Sequence, residues 1–425
     1  MSTLTSSRAL VSKRVRFSHG PGFWVIAAAF LTTMAFSTVP TPLYAIYQHR
    51  DGFPTYVITI IFASYAVGVM ASLYLAGHVS DWLGRRRVAL LAVLAEALSA
   101  LVFLVWQDVP GLLIARFICG VGVGVLTATA TAHLSELRQV ARPGEDPSRS
   151  ALISSMVNLG GLAFGPLVGG LLASYVSSPL ERPYEIFLAL LLLSALGIAL
   201  VPETVERLEE RPAYRPQRVA LPSSAKPLFF ASAIGAFAAF AIFGLFTSLA
   251  PTFLAGTLHH TSRLLAGVVT FAVFIAGAAS QVIFVRVSRR HQLRLGLILM
   301  SSGLVGVAVG GLLPSLALFV IGGVVAGAGV GLVFRGAVAT AASLADPSSR
   351  GEVLAALFLI AYAGLAIPVL AIGLGIALLP AEQALLIFSA IILLLVNTAV
   401  PRMLKAAGQH RRSAEGRRVC HRGVG

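Results

Sequence analysis

Twelve runs of roughly 20 or more mainly apolar residues recur along this 425-residue chain, and an α-helix of that length spans the hydrocarbon core of a bilayer. The runs fall near 22–47, 55–77, 87–106, 110–135, 150–176, 184–202, 227–255, 264–287, 294–313, 315–343, 351–379 and 382–401. Of all residues, 57% are hydrophobic and 12% charged, against about 25% charged in a soluble domain. That leaves too little polar surface to solvate a globule of this size. Lipid can face the apolar side chains instead, provided the backbone pairs internally. The expected fold class is an all-α membrane protein with twelve transmembrane helices.

The net charge of +15 invites a nucleic-acid reading, so the position of each cation matters. With the N-terminus in the cytoplasm, 27 of the 32 Lys and Arg residues fall on the inner side, and three, Arg50, Arg182 and Arg263, fall in outer loops. Arg116 and Arg335 lie inside spans. This bias follows the positive-inside rule, places both termini on the cytoplasmic side of a cell inner membrane, and explains the basic chain with no nucleic-acid partner. The tail cations Arg411, Arg412, Arg417, Arg418 and Arg422 are expected near anionic lipid or without fixed structure. Arg8, Lys13, Arg14 and Arg16 ahead of the first run imitate a signal peptide. That run continues to Tyr47, too long for an h-region, and reads as an uncleaved first helix. Cys119 in a span and Cys420 in the tail form no disulfide framework, and no metal-ligand spacing or cofactor motif occurs.

The longest polar interruption runs from Pro202 to Lys226, carries Arg207, Arg211, Arg215 and Arg218, and divides the spans six and six. The expected organisation is an N-terminal bundle over 1–202, a cytoplasmic linker over 203–226, a C-terminal bundle over 227–401 and a basic tail over 402–425. A repeat crosses the linker. Gly120-Val-Gly-Val-Gly-Val in the fourth span matches Gly327-Ala-Gly-Val-Gly-Leu in the tenth, at an offset of 207. Ser37-Thr-Val-Pro40 in the first span is echoed by Thr247-Ser-Leu-Ala-Pro251 in the seventh, and Arg149 and Arg350 each open the next span after a short loop. Three matches in one order indicate duplicated, pseudo-symmetric six-helix halves.

The loop after the second span reads Gly77-His-Val-Ser-Asp81-Trp-Leu-Gly84-Arg85-Arg86-Arg87. It resembles the signature loop of the major facilitator superfamily, in which glycine and aspartate precede glycine and basic residues. The resemblance implies the major facilitator fold and secondary transport by alternating access. It gives Asp81 the role of latching an inner gate, with Gly77, Gly84, Arg85 and Arg86 forming the loop. Glu136 and Arg149, flanking the loop after the fourth span, match acidic and basic positions of the family, and are expected to contact Arg85–Arg87 in the gate. Arg116 followed by Gly120 resembles a second family motif associated with proton coupling; an interfacial, snorkelling arginine is the alternative. Gly161, Gly165, Pro166, Gly169 and Gly170 in the fifth span resemble the glycine-proline motif of the twelve-helix drug:proton antiporter branch, and small residues four apart let helix backbones approach.

Glu96 sits in the middle of the third span, where the cost of burying charge suits reversible protonation. Arg335 in the tenth span suits an anionic substrate or a gate lock. Thr38, Tyr65, Asn158, Gln281 and Tyr362 are uncharged polar groups in spans, placed either to line a substrate cavity or to join helices. The first, fourth, fifth, seventh and tenth spans carry no acid within the membrane, a departure from many proton-coupled relatives that leaves the coupling residue open.

The expected function is export of hydrophobic or amphipathic small molecules, driven by inward proton flow, by a monomer in the lipid bilayer. The alternative is uptake of a small organic solute such as a sugar or organic acid, by uniport or proton symport. A membrane-embedded enzyme would need a cluster of metal ligands or paired acids, and the sequence has none.

Overall fold

The structure, a computed structural model, describes residues 17–76, 79–205, 222–345 and 350–422, with side chains of the last helix described as far as Ala406. Gly77, the N-terminal cations, Arg207–Arg218 of the linker, and the side chains of the tail arginines and Cys420 lie outside the described residues.

Among the described residues, twelve helices are long and apolar enough to cross a membrane. They are α1 (His19–Asp51), α2 (Thr55–Ala76), α3 (Arg85–Val105), α4 (Val109–Ala141), α5 (Ser148–Tyr175), α6 (Arg182–Leu200), α7 (Lys226–Gly256), α8 (Arg263–Ile283), α9 (Arg289–Leu312), α10 (Leu316–Leu344), α11 (Arg350–Gly375) and α12 (Ala381–Ala406). Two are irregular at matching places. In α1 a 3₁₀ turn at Thr41–Leu43 follows Pro40 and contains Pro42. In α7 a π-turn at Leu245–Leu249 precedes Pro251. Each proline lacks the N–H that would close the preceding helical turn, so the ladder re-pairs with a different spacing. The repeat of proline motifs between the first and seventh spans thus reappears as paired breaks.

The packing maps onto itself when every helix number is advanced by six. In the first half α1 packs on α4, α5 and α6, α2 on α4, and α3 on α4 and α6. In the second half α7 packs on α10, α11 and α12, α8 on α10, and α9 on α10 and α12. Between the halves α5 lies against α8 and α2 against α11. Two pseudo-symmetric six-helix bundles follow. Helices α3, α6, α9 and α12 are peripheral and turn large apolar side chains outward, among them Leu91, Leu98, Leu193, Leu196, Ile298 and Leu394. In lipid that face costs nothing to leave uncovered by protein.

The glycine triads explain why the sequence repeat survives. Positions i and i+4 of a helix share a face, while i+2 points elsewhere. A methyl group on Gly120 or Gly124 would collide with α2, at the Tyr65 carbonyl and Ser72, and one on Gly122 with Ala92 and Glu96 of α3. In the second half Gly327 and Gly331 press on Val273 and Gly277 of α8, and Gly329 on Met300 of α9. Each triad seats two neighbours on one central helix at backbone distance. Beyond α12 the helix continues to Arg422, past the end expected at 401, through a run rich in Arg and Ala, both good helix formers.

Candidate functional site

Between the bundles lies a cavity of about 1150 Å³, with walls from both halves. Thr38, Tyr65, Asn158, Gln281, Arg335 and Tyr362 all line it, as do Asp81, Arg85 and Arg116. The cavity reaches exposed Asp81, Ser148 and Gly351, at the end of the molecule that carries Arg85–Arg87. Its walls differ. The first half contributes hydroxyls, including Thr127, Thr131, Ser154 and Ser155; the second contributes Phe240, Phe243, Phe274, Phe334 and Phe358. Phe243 stacks on Phe274 at 4.1 Å, and Phe240 meets Phe334 at 5.0 Å and Tyr362 at 5.3 Å.

Arg116 stands at the deep end. Its guanidinium is 1% exposed, lies 4.3 Å from the centroid of the Tyr65 ring, and donates from Nη1 to the Ser37 carbonyl at 2.6 Å. That carbonyl lies just ahead of the proline break of α1, where the regular ladder ends and an extra donor is useful. The arginine therefore ties α4 to α1 beneath an aromatic lid and does not snorkel. Tyr65 in turn meets Tyr362 across the halves, with ring centroids 6.4 Å apart.

The glycine-proline motif of α5 serves two partners. Gly161, Gly165 and Gly169 lie against Leu31–Pro42 of α1, where Thr38 Oγ1 donates to the Leu162 carbonyl at 3.1 Å. Gly170 meets the backbone of Arg263, Leu264 and Gly267 on α8, and a methyl on Gly267 would strike the Pro166 carbonyl. Arg263 Nη1 donates to the Ala173 carbonyl at 3.0 Å, and Gly373 of α11 rests on Thr59 of α2. These contacts close the end of the cavity away from the basic loops. Along the same seam, nearer the open end, Ser155 donates to Gln281 Oε1 at 2.9 Å.

At the open end, Arg85 is the hub. It pairs with Asp81 at 2.5 Å and Glu136 at 3.0 Å, and donates to Ser80 Oγ at 2.7 Å. Among the described residues, the ion pair of Asp81 lies within its own half, and the side chain stays largely exposed. Arg149, expected to join this cluster, pairs with Glu145 at 3.1 Å instead. The physical reason is Gly144, whose φ of +89° turns the chain so that Glu145 folds back onto Arg138 at 2.5 Å. The hydrogen bonds from Arg138, reinforced by Arg149, hold the Glu145 carboxyl down at about 2.

A family model described as the Major Facilitator Superfamily matches residues 25–267. The chain belongs to this superfamily. It is therefore a multi-pass membrane protein. A chloramphenicol resistance protein of Acinetobacter baumannii is 32% identical over 117 residues, covering 27% of this chain and 26% of that one. A puromycin resistance protein of Streptomyces alboniger is 30% identical over 155 residues, 36% of this chain and 30% of the relative. An arabinose-proton symporter of Bacillus subtilis is 33% identical over 101 residues, 24% and 21% of the two chains. The chain thus matches less than a third of the length of these curated relatives. Among solved structures, a bacterial homologue of the human lysosomal transporter Spinster, inward-facing and unoccupied, superposes with a TM-score of 0.69 at 14% identity, covering 92% of this chain and 97% of that one. The human organic anion transporter MFSD10 gives 0.67 at 19% identity, covering 90% and 99%. Both likenesses concern the fold.

Of the two predicted coupling residues, Arg116 lines the cavity and Glu96 does not. Fully buried between α3 and α4, Glu96 faces Gly122, with the Cys119 thiol and the Val123 backbone beside its carboxyl. Cys119 and Arg116 of α4 lie within electrostatic reach. Sequence reasoning missed the phenylalanine wall, since an aromatic in an apolar span carries no periodic mark of its facing. It also missed Glu203, which accepts from the backbone N–H of Arg85 at 2.7 Å, and Thr204, which donates to Glu136 Oε2 at 2.5 Å. Two polar residues directly after α6 were the signal available.

Proposed function

We propose that this facilitator exports hydrophobic or amphipathic small molecules by alternating access, coupled to inward proton movement. The cavity carries the reading. It is large, aromatic on one wall and hydroxyl-lined on the other, the composition of a site that accepts varied apolar bodies through a few dispersed polar contacts. The basic-residue bias supports placing its open end and both termini in the cytoplasm. In this reading the loop from Gly77 to Arg86, with Glu136 and Arg149, gates the cytoplasmic end, and the α5–α8 seam seals the other. Arg116 and Glu96 carry coupling, and the working unit is a monomer. The resistance proteins among the relatives support export; the arabinose-proton symporter supports the alternative, uptake of a small organic solute.

The test uses purified protein in proteoliposomes with an imposed pH gradient. Puromycin and chloramphenicol are expected to move against the direction of proton flow. Arabinose movement with the protons, and none of either antibiotic, establishes the uptake alternative instead.

A further inference from the structure

We propose that Arg335 is an anion-binding group and that this facilitator selects amphipathic organic anions, an aromatic or apolar body bearing one carboxylate or sulfonate. The inference rests on the transporter reading of the same cavity and narrows its substrate class.

The charged residues lining the cavity are Asp81, Arg85, Arg116, Arg335 and Glu352. Both acids stand at the open end: Asp81 precedes α3, and Glu352 is in the first turn of α11. Asp81 is already committed to Arg85, and Arg116 is enclosed beneath Tyr65. Arg335 differs from all of these. It is half-buried, nine residues before the end of α10, about 13 Å along the helix from that end. Its Nη1 donates to the Gln281 carbonyl, and among the described residues no carboxylate lies within ion-pair distance of it.

A guanidinium presents five N–H donors in a planar fork matched to a carboxylate. One contact to a carbonyl leaves the rest of that fork to the cavity. A cation in the cavity wall without a counter-charge attracts anions and repels cations, and among the described residues no acid lines the cavity at its depth. The surroundings supply the rest of a site. Phe334, adjacent in sequence, stands 5.0 Å from Phe240 and 5.7 Å from Phe358, so an aromatic wall flanks the charge. Asn158 on α5 places a further donor on the facing wall, whereas the Ser155 hydroxyl is taken by Gln281. An apolar body fits the aromatic side while its anionic head reaches the fork.

The experiment compares three probes with one ring system: 2-naphthoate, neutral 2-naphthamide and 2-naphthylmethylammonium. Binding is measured calorimetrically with the full chain in phosphatidylcholine nanodiscs, with empty discs subtracted. 2-Naphthoate is expected to bind at least tenfold more tightly than either competitor. Arg335→Gln is expected to bring 2-naphthoate down to the level of 2-naphthamide without changing 2-naphthamide itself. Arg335→Lys, which keeps the charge and loses the fork, is expected to retain part of the preference and guards against a folding defect in the Gln variant. No preference in the wild type, or an undiminished preference in Arg335→Gln, overturns the assignment. Flux in proteoliposomes separates the two levels. Preference without flux overturns the transporter reading and leaves the anion site, whereas equal flux of all three probes overturns the selectivity and leaves the transporter.

Discussion

The carboxylate of Glu203 accepts a 2.7 Å hydrogen bond from the backbone N–H of Arg85, the first residue of α3. The same carboxylate takes weaker bonds from the N–H groups of Arg86, at 3.4 Å, and Thr204, at 3.2 Å. The N-cap position of α3 is Gly84, which has no side chain to offer, so the chain leaving α6 caps it. Gly84 is required twice, for its φ of +97° and because a Cβ there would sit 2.5 Å from Glu203 Oε2. The signature loop and the start of the linker are therefore one unit.

Glu203→Gln keeps the shape and loses the charge. The cap is half-exposed, so the loss is set at about 1 kcal/mol, below the range for buried charge-assisted bonds. Gly84→Ala adds backbone strain and a collision, and is expected to cost about 1–3 kcal/mol. Thermal unfolding of the purified variants followed by intrinsic fluorescence checks the order, with Gly84→Ala the less stable. Equal stability of wild type and Gly84→Ala would refute the unit.

Asp81→Asn is expected to express and unfold like the wild type, because Asp81 is exposed and its pair with Arg85 is worth about 0–1 kcal/mol. Transport is expected to fall at least tenfold if Asp81 must find a partner in the other half when the open end closes. Wild-type transport at wild-type expression would remove it from the gate.

Gly267→Val places a branched side chain against the Pro166 carbonyl and holds the α5–α8 seam apart. In a background without Cys119 and Cys420, Thr59→Cys is buried opposite Gly373 and is expected to react slowly with an impermeant maleimide. Adding Gly267→Val is expected to speed that reaction at least tenfold. An unchanged rate would show that the seam does not seal this end.

Glu96→Gln preserves side-chain volume and keeps a carbonyl oxygen to face Cys119 and Val123, so folding is expected to survive. Substrate-induced proton movement in proteoliposomes is expected to vanish while substrate binding in detergent persists. Unchanged proton movement would leave Glu96 as a packing residue behind α4.

The Glu145 carboxyl is held at about 2 by its bonds to Arg138 and Arg149, below the ordinary value of 4.5. A depressed folded value stabilises the loop above pH 4.5 and loses that effect as pH falls toward 2. Hydrogen exchange in the α4–α5 loop is expected to show unchanged protection between pH 8 and pH 5, after correction for intrinsic rates. Glu145→Gln is expected to exchange faster already at pH 7, and equal protection in the two proteins would contradict the role.

The spans and their duplication were readable because apolar length and glycine spacing are local properties, and the triads at Gly120 and Gly327 do the same packing work. The six uncharged or basic cavity residues, from Thr38 to Tyr362, stood out because a polar group inside an apolar span needs a reason. Phe240 and Phe334 did not, since lipid, core and cavity all accept phenylalanine. The partner of Arg149 was hidden by a backbone turn at Gly144 that charge pattern alone does not reveal. Which acids meet which cations depends on how the loop folds.

The seam between α5 and α8 has a further consequence. Where Gly170, Gly267 and the Pro166 carbonyl meet, the two halves touch through main chain, with no interlocking side chains to unthread. Parting this main-chain contact itself requires no rotamer to change; the side-chain contact that must separate beside it is Phe164 against Phe271, with ring centroids 5.4 Å apart. The polar contacts to be broken with it are those at the ends of the seam, Ser155 with Gln281 and Arg263 with Ala173. In the proposed transport cycle, turnover speed is then adjustable at the Arg263–Ala173 bond, which lies outside the cavity lining, whereas Ser155 and Gln281 both belong to it.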